Sequence, residues 1–397
     1  MKVYLPIISV AVIFKILCGR KGDEVMMKMI GIVFSNIYDA SMGDLTKRRT
    51  VASLPFGGRY RQIDFVLSNM CNSGIHKVGI ITKYNYQSLM DHLATSAEWD
   101  FNTRNGGLYF IPPFVLQNNG VYRGKLEALY NAVNFLEHST EEYVVLSDSS
   151  TICNVDFSDA LESHIASGRD ITIIANDEYK TGNKQYIDLV LNMNGEEVSE
   201  AAINVIPDKD DMAAMGMFIM EREYLLKIVQ KSVSHGLCHL ERDFIQRSFI
   251  DGDLSINLYK YDGVVLRNTD VVSFYQNNLR LLDENIRKGI FKESAPIYTK
   301  VRDEEPSYYY EGSSVKHCLI ADGCKIEGTV ENSIIFRDVK IEKGAIVRNS
   351  VIMQGTVISK GAVIEQAIVD KDVFVSPSRL LVGAASSPII LNKGAKV

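Results

Sequence analysis

No two cysteines form a CxxC pair; the six, Cys18, Cys71, Cys153, Cys238, Cys318 and Cys324, are scattered along 397 residues. This spacing excludes a zinc ribbon or dithiol redox motif and fits isolated thiols in a reducing cytoplasm. Basic excess is missing too: 43 Lys and Arg stand against 49 Asp and Glu, a formal net charge of -6. Nucleic acid and anionic membrane surfaces are therefore not the default partners. Long apolar runs are also lacking. Val3 to Phe14, interrupted by Pro6 and closed by Lys15, falls short of the ~20 residues that span a bilayer. No small-x-small cleavage site follows it, which disfavours a signal peptide. Residues 1–28 read as a non-conforming extension, with Met26, Met27 or Met29 as alternative starts. The codons for Arg20-Lys21-Gly22-Asp23 can supply a purine-rich ribosome-binding stretch upstream of them. Tryptophan occurs once and proline nine times, while 46% of the residues are hydrophobic, enough for two packed cores.

From Met29 to about residue 285, short apolar segments alternate with helical ones. Ile30–Phe34, Gly79–Thr82, Glu142–Leu146 and Ile171–Ala175 read as strands; Ile63–Ser73, Gln87–Ala94, Lys125–Glu137 and Asp159–Ser167 have helical spacing. Short strands apolar on both faces and separated by helices predict a mainly parallel sheet covered on both sides, an α/β Rossmann-like domain. Such sheets bind ligands at the carboxyl ends of their strands, so the chemistry is expected after Phe34 and after Leu146.

Residues 286–312, with Pro296, Pro306 and Tyr308-Tyr309-Tyr310, read as a packed linker. From Ser313 to Val397 aliphatic or small residues return at about every sixth position, among them Ile320, Ile326, Ile341, Val351, Val357 and Val363. Gly323, Gly328, Gly344, Gly355 and Gly361 fall between them. Strands too short to stand alone, returning with turns between them, predict a left-handed parallel β-helix of hexapeptide repeats.

The block from Pro55 to Ile75 (PFGGRYRQIDFVLSNMCNSGI) is very similar to the glucose-1-phosphate adenylyltransferase family. So are Trp99 to Gly107, Gly124 to Tyr130, and Ala214-Met215-Gly216. Together with the β-helix, the resemblance spans Met29 to Val397. It implies a nucleotidyltransferase domain at 29–285 and a reaction of ATP and glucose 1-phosphate to ADP-glucose and pyrophosphate. That reaction uses magnesium, feeds glycogen synthesis, and is run by tetramers controlled by small anionic effectors.

Measured against that resemblance, the catalytic positions are degenerate. The family's glycine-rich phosphate loop falls on Asn36, Ile37, Tyr38, Asp39, Ala40 and Ser41, where no glycine remains and Asp39 would repel phosphate. Its two metal-binding aspartates fall on Ser150 and Arg267, with Asp148 able to replace the first after a gap. A guanidinium cannot ligate a hard cation that needs oxygen. The sugar-phosphate signature is absent from Tyr186–Val205, and Leu126 is bulky where a small residue is expected. Trp99, Asp100, Gly106, Gly107 and Gly124 are candidates for a remnant sugar pocket. Lys47, Arg48, Arg49, Arg59 and Arg61 are candidates for an anionic small-molecule effector, since closely spaced cations favour phosphates.

Three sites fail together while the scaffold block and the repeats persist. The chain therefore resembles the GlgD-type regulatory partners of the family, expected in the cytoplasm as part of a hetero-tetramer with a catalytic paralogue. On this reading it has no catalytic residues and no tightly bound cofactor of its own, and Mg2+ is supplied at the partner's site. The alternative is a weakly active adenylyltransferase using Asp148 and a reshaped loop.

Overall fold

The computed structural model describes residues 29–397, apart from 95, 103–105, 114–120, 178–184 and 196. The 1–28 extension and its alternative starts lie outside the described residues. The first domain is built on a nine-stranded sheet. Tyr143–Asp148, Met29–Phe34, Lys77–Ile81 and Gly107–Ile111 lie side by side and parallel. Met212–Glu221 then runs antiparallel to Tyr143–Asp148 and to Ile171–Asn176. The hairpin of Ile187–Asn194 and Glu197–Val205 extends that edge, and Ile256–Lys260 pairs parallel with Ile171–Asn176.

The expected parallel strands form one part of the sheet, and antiparallel pairing at Met212–Glu221 makes the whole mixed. The apolar run at Met212 marks a buried strand, but a strand buried on both faces carries no signal of its direction. Alternation along Met29–Phe34 shows how both faces are covered. Ile30, Ile32 and Phe34 join one core and Met29 and Val33 the other, in keeping with the two-residue period of a strand. Helices Gln62–Asn72 and Phe157–Ser167 cover the second face. The Asp156 carboxylate caps the latter by accepting from Ser158 N, and Gly168 ends it at φ 60°, a left-handed stop that suits glycine. Among the described residues no helix is long and apolar enough to cross a membrane.

The C-terminal part is a parallel β-helix with three ladders of five short strands. Its inward columns, such as Ile326, Ile341 and Ile358 or Val330, Val347 and Ile364, are fully buried. Coil stacking thus makes one continuous apolar interior from strands of two or three residues. The first strand, Tyr308–Tyr309, pairs with Lys325–Ile326 and so lies inside the segment read as linker. Two residues held by backbone bonds leave no periodic signal to read.

One ladder packs onto the first domain. Ile334, Phe336, Val351, Met353 and Ile368 share a core with Phe56, Phe65, Phe274 and Tyr275. A buried ion pair, Arg49 to Asp370 at 2.6 Å, and a hydrogen bond from Tyr275 OH to Asn349 O reinforce that junction.

Candidate functional site

The loop after Phe34 leaves the sheet where a ligand is expected, but it is folded onto itself. Ser41 N and Met42 N both donate to Tyr38 O, at 3.1 and 3.2 Å, and Gly43 N donates to Ala40 O at 3.3 Å. The Asp39 carboxylate accepts from Asn36 Nδ2 and, at 2.6 Å, from Val51 N. Burial raises the Asp39 carboxyl above its ordinary value, opposed by those same bonds. A phosphate cradle needs several N–H groups converging on open space. Here Asn36 and Asp39 staple the turn shut, and much of its donor capacity is engaged internally.

Tyr38 points the other way, into the cleft at the end of Tyr143–Asp148. Its hydroxyl donates to Asp188 Oδ2 at 2.5 Å and is held well above its ordinary pKa, chiefly by burial and then by Asp188 and Asp148. Behind it sits the dominant feature of the site. Lys125, at the start of the helix Lys125–Tyr130, places its ammonium 2.9 Å from Asp148 and 2.5 Å from Glu241. The same ammonium lies 5.5 Å from the Phe34 ring centre and 5.6 Å from that of Phe218. Burial disfavours the charge on Lys125, yet Asp148 and Glu241 outweigh it and keep the ammonium protonated. Asp148 is pushed up to about 7 by burial, with Lys125 opposing and Glu241 and Asp188 adding to the rise. Lys125 bridges two carboxylates with Asp188 nearby, and burial above all, with the excess negative charge adding to it, draws a proton to Asp148.

Gly216 closes the cleft around this cluster. At φ +69°, a Cβ there would come 2.3 Å from Asp148 Oδ2, so only glycine allows the carboxylate to sit so near the neighbouring strand.

Ser150 and Arg267 both line this cleft. Arg267 is buried and donates to Ala214 O at 2.7 Å, Ala213 O at 3.1 Å and Asn176 Oδ1 at 2.9 Å. Its guanidinium closes off carbonyls left open where the pairing of Met212–Glu221 with Ile171–Asn176 is irregular between Ala214 and Met217. A magnesium ion needs oxygen ligands. The residues present do not fit one: Asp148 is engaged by an ammonium, and a guanidinium forms another wall. Among the described residues no three His, Cys, Asp or Glu side chains are grouped to hold a metal.

The remaining candidates fall in different places. Gly124 lines an adjoining cleft with Lys125, Asp188 and Glu241, and a Cβ on it would come 2.3 Å from Cys238 O. Trp99 instead is fully buried in the core of the second sheet face, edge-on to His92, and neither it nor Asp100, Gly106 or Gly107 lines the cleft that holds Asp148.

The five basic candidates divide between two crevices at the domain junction. Lys47 and Arg48 are exposed, with Lys47 paired to Asp44, while Arg49 is buried against Asp370. Arg59 and Arg61 line a cleft completed by His92, Arg302, Arg337 and Lys371. The Arg61 guanidinium donates to Ser88, while Asp64 takes the Arg61 backbone N–H instead. Burial lowers Arg61 to about 10. Lys371 is lowered to about 7 by burial and then by Arg61 and Arg49. Arg337 is buried, and its Nε and Nη2 have no hydrogen-bond partner among the described residues. Among the described residues no Asp or Glu lines the cleft, and Asp64 behind His92 and Asp370 beside Lys371 only partly offset the crowded cations.

Lys125, Glu241, Asp188, Arg337 and Lys371 escaped the sequence reading as site residues. They are far apart in the chain, and only a fold brings them together. The sequence singles out Leu126 as bulk beside Gly124, whereas the side chain that fills the cleft is its neighbour Lys125.

Comparison with known proteins gives the family of both parts of the chain. Residues 42–258 match the nucleotidyl transferase family, and residues 305–387 match the GlmU-like C-terminal hexapeptide family. The chain is 35% identical to "Glycogen biosynthesis protein GlgD" of Bacillus subtilis over 92% of its length and 96% of that protein's. It is 38% identical to the protein of the same name from Geobacillus stearothermophilus, with the same coverage of both chains. To glucose-1-phosphate adenylyltransferase of Geobacillus stearothermophilus it is 32% identical, over 81% of this chain and 83% of the other.

Proposed function

The chain belongs to the nucleotidyl transferase family, among relatives named for glycogen biosynthesis, and from that premise we propose that it is a regulatory, non-catalytic subunit of glucose-1-phosphate adenylyltransferase. In this reading it acts in the cytoplasm, joined to a catalytic relative in a hetero-tetramer. The partner supplies the magnesium site and makes ADP-glucose. The observation that carries the proposal is the filled cleft. Lys125 engages Asp148 and Glu241, and Arg267 stands where the family resemblance puts a metal-binding aspartate. Nucleotidyl transfer depends on neutralising charge that develops on phosphates, and a cleft with its carboxylates already paired cannot recruit the ion that does so. The rival reading, weak activity through Asp148, requires a carboxylate that this geometry keeps occupied.

The test is to purify the chain with and without an intact catalytic relative. Co-elution and an altered rate or effector response of that relative are expected. Failure to associate, or association without any kinetic change, refutes the regulatory reading.

We also propose that the cleft of Arg59, Arg61, Arg337 and Lys371 receives the anionic effector. An unpartnered buried guanidinium is costly, and a phosphate offers it paired acceptors. Removing one charged hydrogen-bonding group is worth roughly 10- to 100-fold in affinity, so Arg337→Ala should weaken phosphate binding by that much in calorimetry. The pH dependence follows from Lys371, which titrates near 7 when the cleft is empty. A bound anion raises that value, so a proton is taken up on binding above pH 7 and affinity falls as pH rises toward 9. Equal affinity in Arg337→Ala and the unaltered chain would remove the effector from this cleft.

A further inference from the structure

We infer that Lys371 is a carbamylation site: its side-chain amine takes up CO2, and the arginines of the junction cleft hold the carbamate that forms. Lys371 lies in the turn between strands Ala367–Val369 and Phe374–Val375 of the β-helix. Its carbonyl accepts from Gly394 N at 2.9 Å, and Asp372 N donates to Gln354 O at 2.9 Å, so the turn is pinned on both sides. The side chain lines the cleft shared with Arg59, Arg61, Arg302 and Arg337. It is half-buried, which leaves a path for a small dissolved gas.

A buried charge is ordinarily paired. Lys125 shows that arrangement, with its ammonium between Asp148 and Glu241 held in the charged form. Lys371 has the opposite surroundings. Asp370 beside it is engaged elsewhere, with Oδ2 on Arg49 at 2.6 Å and Oδ1 on the Lys371 backbone N–H at 2.7 Å. Asp64 is taken by His92, by Thr299 and by the Arg61 backbone N–H. At the cleft edge Lys300 donates to Asp91 O, and Lys393 stands 3.9 Å from Asp372. Burial, then Arg61 and Arg49, lower the Lys371 amine to about 7, with Asp370 opposing and Lys393 adding to the fall. A lysine at its ordinary pKa is only about 0.1% neutral at pH 7.5, whereas one near 7 is roughly three-quarters neutral. Cationic neighbours thus free the lone pair that a nucleophilic lysine needs.

The reaction requires nothing else. The amine nitrogen attacks the carbon of CO2, an N–C bond forms, and one C=O electron pair moves onto oxygen. The proton left on nitrogen passes to solvent. Nothing is oxidised or reduced, and there is no leaving group. The cations that disfavour an ammonium also favour this product, because the residue becomes an anion among them. A carbamate is planar with two oxygens on one carbon, as in a carboxylate, and matches the fork of a guanidinium. Arg337 is 6% exposed, and its Nε and Nη2, which form one side of that fork, have no hydrogen-bond partner among the described residues.

Carbamylation goes beyond the effector reading, because it needs only the cleft and occurs whether or not a phosphate binds there. Where both occur they compete, since the modified residue carries the charge of the ligand. CO2 then weakens phosphate binding.

The test is NMR of the full chain equilibrated with isotopically labelled bicarbonate, together with trapping by a trialkyloxonium salt. The salt alkylates a carbamate oxygen, and peptide mass spectrometry locates the adduct. One carbamate resonance, distinct from free bicarbonate, is expected, with the adduct on Lys371. At fixed CO2 pressure the resonance should grow from pH 6 to pH 8, since only the neutral amine reacts and a proton is released. Lys371→Met should abolish resonance and adduct together. Arg337→Ala should lower occupancy at least ~10-fold at limiting CO2, the scale of one hydrogen bond to a charged group. Circular dichroism melts establish that each variant is folded, and the trapped adduct on the unaltered chain decides the question without any variant. Absence of a carbamate at saturating CO2 and pH 8 overturns the proposal. So does bicarbonate held without an N–C bond, an adduct confined to other amines, or a resonance that survives Lys371→Met. Phosphate calorimetry in CO2-free buffer reads the effector proposal separately, so either can fail alone.

Discussion

Lys125→Met is expected to destabilise the first domain by about 3–5 kcal/mol, the range for breaking a buried ion pair from one side. The reason is the asymmetry of the cluster. Methionine matches the lysine stem and can still pack between Phe34 and Phe218, so little apolar contact is lost. What remains is two buried carboxylates, Asp148 and Glu241, with no cation between them. They can be tolerated only by taking up protons. The deficit therefore depends on pH, with a definite sign. A carboxyl whose folded-state pKa is raised binds a proton in the folded chain that the unfolded chain has already lost. Stability then falls as pH climbs from the ordinary carboxyl range near 4 toward the raised value. Asp148 already lies at about 7 with Lys125 present, and removing the ammonium raises it further. Denaturant melts of Lys125→Met and the unaltered chain at pH 5.5 and 8 should show a gap that widens at the higher pH. A gap of under ~1 kcal/mol at both, the scale of an exposed pair, would mean that the cluster is solvated and the cleft is not plugged.

That cluster also shows where reading the sequence stops. The helices at Gln62 and Gln87, the helix entering at Phe157 and the strands expected at Ile30, Gly79, Glu142 and Ile171 follow from local spacing and are found within a few residues of their expected bounds, whereas the strand Gly107–Ile111 is not singled out. The hexapeptide rhythm is equally local, since each coil repeats the same inward positions. The helix expected from Lys125 to Glu137 is instead two, Lys125–Tyr130 and Val133–Glu137, and the apolar pattern does not mark that break. Strand direction at Met212 escapes for a related reason: hydrophobicity records burial, not polarity of the chain. The site is harder still. Arg267 and the altered phosphate loop are visible as departures from a pattern, but what they do instead is not. That Tyr38 reaches Asp188, 150 positions away, or that Lys125 meets Glu241, 116 positions away, depends on how the fold brings distant segments together at the end of Tyr143–Asp148. Arg337 and Lys371 belong to the repeats in sequence and to the domain junction in space. Charges that act together need not be written together.

Arg267→Asp restores the residue that the family resemblance places at this position, and it is expected to cost stability without returning activity. The guanidinium now satisfies Ala213 O, Ala214 O and Asn176 Oδ1. An aspartate would leave those acceptors unpaired and set a fourth carboxylate in a cleft that already holds Asp148, Asp188 and Glu241. A buried charge without a partner costs about 3–5 kcal/mol, whereas a neutral replacement that only leaves acceptors unpaired costs about 1–3 kcal/mol. Arg267→Met should therefore be the milder variant, and the order of the two separates charge repulsion from lost hydrogen bonds. Catalysis is a further question. Even with an aspartate at 267, Asp148 stays bound to Lys125 and the loop at Asn36–Ser41 keeps its donors engaged. Positioning and charge stabilisation each contribute several orders of magnitude to a transfer reaction and must be present together. Isolated Arg267→Asp is thus expected to form no ADP-glucose above background with magnesium, ATP and glucose 1-phosphate. A stable Arg267→Asp protein that turned over in a magnesium-dependent way would show instead that the site is one substitution from working, and that Lys125 gives way when substrate enters.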